Sequence, residues 1–152
     1  MSKTRVAIAS DHAGFEQKEQ LADWLKQQGC LVHNLGPFDD NRVDYPDFAA
    51  LVAREVVHQV ADFGVLVCGT GIGMAVAANK FRGIRAANIT SPEFAALARE
   101  HNDANIVTVS GRFVDLEVNK AIVTAFLETP FGEGRHAKRV DKIADLEYLL
   151  LK

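Results

Sequence analysis

Val65-Leu-Val-Cys68-Gly-Thr-Gly-Ile-Gly73 decides the architecture of this 152-residue chain. Three apolar residues, two of them β-branched, suit a strand covered on both faces. A thiol ends that strand, and glycines at alternate positions then strip side chains from the turn. Bare backbone N–H groups there can point at a bound oxygen or phosphate. A helix opening from the turn favours negative charge at its start. The stretch therefore reads as a cysteine set for proton transfer or attack beside an anion site. It equally suits a buried structural cysteine in a tight strand-to-helix turn.

The same alternation extends in both directions. Val6–Ala9, Leu31–Leu35, Val65–Val67, Ile84–Ile89 and Asn105–Val109 read as strands. Helices are expected over Glu16–Gln28, about Phe48–Gln59, about Ile72–Asn79, from Pro92 behind a Ser91 cap, about Leu116–Leu127, and about Asp141–Leu150. This pattern predicts a three-layer α/β/α, Rossmann-like sandwich with a five-stranded parallel sheet and a C-terminal helix. Length fits a single domain, 1–152, with no repeat or linker. In such sheets ligands bind beyond the carboxyl ends of the strands, where strand order reverses. Asp11-His12, Cys68-Gly-Thr-Gly71 and Gly111-Arg112 all follow strands and fall on that edge.

Composition narrows the function. A formal charge of −3 gives no overall basic field for nucleic acid. No apolar stretch approaches a membrane span, and Met1-Ser-Lys-Thr-Arg-Val carries no signal core. Cys30 and Cys68 make neither a disulfide framework nor a metal-spaced cluster, so a cytoplasmic protein with reduced thiols is expected.

Spacing also limits the glycine turn. No Lys-Ser/Thr pair follows, which excludes a Walker phosphate loop, and Met74 and Val76 break the dinucleotide fingerprint. Asp11 and His12 suit a sugar hydroxyl or proton transfer, or else a helix cap beside a solvated imidazole. Arg99-Glu-His101-Asn102 ends a helix and reads as a cap or as a ligand contact. Arg135 and Arg139 stand four apart and would share a helix face, as a phosphate clamp or as a solvated surface. Asp39, Asp40, Asp44 and Asp47 match no calcium-loop spacing, and no metal is expected there.

Taken together, seven segments resemble the type B ribose-5-phosphate isomerase family, which includes galactose- and allose-6-phosphate isomerases. They are Ser10–Gly14, Asp44–Asp47, Cys68–Gly73, Ala78–Lys80, Arg99–Asn102 with Ala104-Asn105, Gly111-Arg112, and Gly134–His136 with Arg139. The resemblance implies aldose–ketose isomerisation of a phosphorylated sugar through an enediolate, without metal or organic cofactor. It assigns Cys68 as the base between C2 and C1 and Thr70 to the hydroxyl proton. The amides of Gly69, Thr70, Gly71, Ile72 and Gly73 would hold the oxyanion. His101 would open the furanose ring and Asn102 would contact the sugar. Asp11 and His12 would bind substrate, and Arg112, Arg135 and Arg139 the phosphate. It further implies homodimers or dimers of dimers, with the segments around His101 and Arg112 supplied by the second subunit. Part of the family carries a glutamate base where this chain has Met74, which leaves the task to Cys68. Glu133 and Ser110 stand where glycine is common in such proteins. Ribose 5-phosphate is the expected substrate, with a six-carbon sugar phosphate or a non-catalytic sugar-phosphate sensor as the rival readings.

Overall fold

The computed structural model describes residues 3–149. Its elements run β1 (Arg5–Ser10), α1 (Phe15–Gln27), β2 (Leu31–Asn34), α2 (Tyr45–Val57), β3 (Phe63–Cys68), α3 (Ile72–Ala78), β4 (Ala86–Asn88), α4 (Pro92–Asn102), β5 (Ile106–Ser110), α5 (Leu116–Glu128) and α6 (Arg135–Leu146). The five strands are parallel in the order β2-β1-β3-β5-β4. Strand order reverses between β1 and β3, so the loops after these two strands flank the crevice of a doubly wound sheet.

Side chains alternate across the central strands. Val6 and Ile8, Val65 and Val67, and Val107 and Val109 pack beneath α1, α4 and α5. Ala7, Ala9, Leu66 and Cys68 face α2 and α3 with Val52, Val56 and Met74. The expected sandwich is the observed one, and α6 lies outside it against α4.

Helix starts depart most from expectation. Helix α2 begins at Tyr45 rather than near Phe48, because Pro46 sits within its first turn. Its buried face is Ala49, Val52, Ala53 and Val56, and Leu51 is exposed. Helix α6 begins at Arg135, six residues before the expected Asp141. Its first turn is charged and shows no apolar periodicity until Val140. It ends at Leu146, while the expected last residue, Leu150, lies outside the described residues. Ser91 caps α4 as anticipated, its Oγ accepting the Phe94 N–H at 3.4 Å.

Candidate active site

Cys68 closes the central strand and is 5% exposed. Its Sγ accepts the Gly71 N–H at 3.2 Å, a contact that stabilises charge on sulfur. The turn needs glycine at 71 for two reasons. Its φ is 82°, and a Cβ would meet Asn88 Oδ1 and press on the Val109 backbone at 3.0 Å. Of the amides expected to hold an oxyanion, two are already engaged. Gly71 binds the sulfur, and Ile72 donates to Thr70 Oγ1 at 3.1 Å. The Gly69, Thr70 and Gly73 N–H groups have no partner among the described residues. The exposed Thr70 hydroxyl accepts from Ile72 and retains its own proton for donation.

A cavity of about 660 Å³ opens on this edge, lined by Asp11, His12, Arg42–Asp47 and Arg112. Asp11 is buried, and its Oδ1 accepts the Gly14 N–H at 3.0 Å. The carboxylate therefore shapes the entry to α1 as well as facing the cavity. His12 Nδ1 lies 3.2 Å from Val43 O and 3.3 Å from Val43 N, so Val43 engages this nitrogen in either tautomer and Nε2 is left for a ligand. The exposed Arg112 packs its guanidinium over Gly69, where a Cβ would lie 3.3 Å from Nη1. Cys68 itself does not line the cavity wall; Arg112 connects the cavity to the residue beside it.

Several residues of this edge carried no role in the sequence reading. Tyr45 presses on Gly73 so closely that a Cβ there would meet its ring at 2.7 Å. Thr108 Oγ1 donates to Gly71 O at 2.8 Å. Arg42 joins the cavity from a loop that sequence periodicity leaves featureless.

His101 and Asn102 lie elsewhere. Helix α4 starts at the carboxyl edge of the sheet and returns the chain to the amino edge before β5. Its last turn is thus roughly a strand length, ~17–20 Å, from Cys68 of the same chain. His101 stacks on His136 of α6, with ring centroids 4.3 Å apart and planes at 14°. Burial, then the charges of His101, Arg135 and Arg139, push His136 below the ordinary histidine range, against a smaller upward pull from Glu100. The Gly132 N–H donates to Glu100 O at 2.9 Å and fixes the approach to α6. Arg135 and Arg139 are exposed on that helix. Glu133 adopts φ 51°, the left-handed backbone that glycine enters freely, which explains why glycine suits this place. Asn102 lines a separate cavity with Asn79, Arg85 and Ile143.

The candidate residues therefore form two groups. Asp11, His12, Cys68, Thr70 and Arg112 share one edge, and His101, Asn102, Arg135 and Arg139 belong to the other end. Arg112, expected beside His101, instead packs on Gly69 at the Cys68 edge of its own chain. Arg99 and Asn105, from the same polar segment as His101, are structural. Arg99 Nη1 bonds Asp103 Oδ1 at 2.8 Å and Ala104 O at 2.6 Å, while Asn105 Oδ1 accepts the Arg85 N–H at 2.8 Å.

A doubly wound parallel sheet with a thiol-bearing glycine turn beside its switch point defines an α/β enzyme of small polar ligands. Residues 6–143 match the family model described as Ribose/Galactose Isomerase. The chain belongs to the Ribose/Galactose Isomerase family. It is 47% identical to the "Probable ribose-5-phosphate isomerase B" of Mycoplasma pneumoniae, over 93% of this chain and 94% of that protein. It is 41% identical to the "Ribose-5-phosphate isomerase B" of Escherichia coli, over 94% of this chain and 96% of that one. Among solved structures, the ribose-5-phosphate isomerase B of Mycoplasma genitalium with bound ribulose-5-phosphate superposes with a TM-score of 0.92. That protein is 44% identical, over 98% of this chain and 99% of its own.

Proposed function

We propose that this chain interconverts ribose 5-phosphate and ribulose 5-phosphate through an enediolate, with Cys68 as the base. The carrying observation is the sulfur at the mouth of β3, receiving a backbone donor beside the unpartnered amides of Gly69, Thr70 and Gly73. A proton next to a carbonyl is weakly acidic, so removing it requires a placed base and a stabilised oxyanion. Cys68 takes the C2 proton and returns it at C1, and Thr70 moves the hydroxyl proton. The Thr70 and Gly73 N–H groups hold the oxyanion. Asp11 and His12 bind substrate oxygens, and Arg112 holds phosphate.

Ring opening and the rest of the phosphate clamp come from a second copy of the chain. The partner's His101, Asn102, Arg135 and Arg139 are then brought to the Cys68 edge. The separation of the two groups within one chain supports this assembly, as a dimer or a dimer of dimers. Both cysteines are thiols, which suits a reducing cytoplasm. Among the described residues no helix is long and apolar enough to cross a membrane.

The test is loss of deuterium from C2 of ribose 5-phosphate by the purified protein. Turnover and exchange are expected in the native protein. In Cys68→Ala both should fall by about a thousandfold, within the range of general-base removal, with the fold retained. Residual turnover within about tenfold of native, a barrier change of only ~1.4 kcal/mol, removes Cys68 from the mechanism. kcat/KM on five- and six-carbon sugar phosphates fixes the substrate.

A further inference from the structure

Ser110 ends β5 directly beside Cys68 in the sheet register and is 3% exposed. Its Oγ donates to Gly69 O at 2.6 Å and accepts the Phe113 N–H at 2.9 Å. The Phe113 donor occupies a lone pair of the hydroxyl and so aims its hydrogen at Gly69. The same carbonyl also accepts the Arg112 N–H at 3.2 Å. One peptide group thus receives two donors on its oxygen. In a trans peptide the N–H points opposite to the C=O. Holding Gly69 O toward β5 therefore aims the Thr70 N–H away from β5, where it has no partner. Donors on a carbonyl also polarise the amide and strengthen what its N–H can donate.

We propose that Ser110 is a positioning residue that orients and polarises the Gly69–Thr70 peptide, so that the Thr70 N–H binds the enediolate oxygen. This rests on the isomerase reading above. Charge develops on that oxygen during proton abstraction, so the contribution of Ser110 belongs to the transition state more than to substrate binding. Thr108 holds the next carbonyl but one, Gly71 O, from the same strand face. That bond orients the Ile72 amide, which Thr70 Oγ1 already occupies. Ser110 is therefore the hydroxyl that governs an available donor.

The experiment compares the native protein with Ser110→Ala and Ser110→Gly. Both are small replacements, and the Phe113 N–H they release lies at an exposed residue able to meet water. Steady-state kinetics on ribose 5-phosphate are combined with inhibition by two probes. One is inorganic phosphate, which reports the phosphate site. The other is a phosphorylated aldonohydroxamate, whose planar hydroxamate resembles the enediolate. Weakening one oxyanion donor should lower kcat by about tenfold, less than the 10²–10³ of deleting one. The hydroxamate inhibition constant should rise by a similar factor, while KM and the phosphate constant move less than about twofold. An unchanged kcat overturns the proposal. So does a parallel loss for phosphate and hydroxamate, which would make Ser110 a support for Arg112. Absence of turnover in the native protein would instead overturn the isomerase reading itself.

Discussion

His136 shows how one side chain couples chemistry to stability. It is buried against His101, between two arginines, and is held neutral to a lower pH than an unfolded histidine. Between its lowered value and the ordinary one near 6.5, the unfolded chain binds more protons than the folded one. Stability therefore rises with pH across that window and is lost as pH falls through it. Melting temperatures from pH 8 to pH 5 should show an acid-side decline that His136→Asn reduces; an unchanged slope would show that His136 does not set it. Glu19 behaves as the ordinary carboxylate case. Burial pushes it up, but hydrogen bonds from Lys18 and Asn34 and the Lys18 charge outweigh this and hold it below its usual range.

Two helices begin their buried faces with a polar residue, and each uses it to hold a loop at the site edge. In α1 the stripe is Lys18, Leu21, Ala22, Leu25, and in α5 it is Asn119, Ile122, Val123, Phe126. Lys18 is fully buried and donates to Pro37 O at 2.6 Å and Asn34 Oδ1 at 3.1 Å, besides bonding Glu19. That anchors the start of the loop that reaches Val43 and His12. Asn119 Nδ2 donates to Ser110 O at 2.8 Å and Gln17 Oε1 at 2.7 Å, fixing the start of the Arg112 loop. Lys18→Met keeps the bulk but strands the Pro37 carbonyl and removes the ammonium from Asn34 Oδ1, which keeps the Gly36 N–H, and from Glu19, which keeps Asn34 Nδ2. A loss of about 2–4 kcal/mol is expected in urea unfolding, below the full cost of a buried ion-pair break because Glu19 is partly solvated. A loss below about 0.5 kcal/mol would mean that water replaces the ammonium at no cost.

These stripes also mark where the sequence was legible. Short apolar runs between helical stretches mark the five strands, and the rule for parallel sheets places Asp11, Cys68 and Arg112 on one edge. A lysine or asparagine at the head of an apolar stripe is visible too, but its partners are not. Pro37 is 19 residues from Lys18, and Ser110 is 41 from Gly69. Such contacts arise only when the sheet assembles. The start of α6 was hidden because Gly132-Glu-Gly134 resembles a loop and the next five residues are mostly charged.

At the scale of the molecule, the two groups of site residues belong to opposite ends of the sheet, and this yields a sharp test. Chains carrying Cys68→Ala and His101→Ala are each expected to be inactive alone. Mixed and reassociated in equal amounts, they should recover about a quarter of native activity, since half the dimers are mixed and one of their two sites is intact. Arg112→Ala should rescue His101→Ala in the same way. It should not rescue Cys68→Ala, because Arg112 and Cys68 stand on one edge of one chain. Recovery in that last pair, or none in the first, would overturn the arrangement.

The distance between Cys68 and His101 along the sheet has a practical corollary. Under the proposed assembly, in which a second copy supplies His101, specific activity is expected to depend on protein concentration. On serial dilution past the point where copies separate, turnover per milligram should collapse while the circular dichroism of each chain persists. An enzyme built this way carries its own threshold: below a certain abundance in the cell, more substrate cannot compensate for missing neighbours.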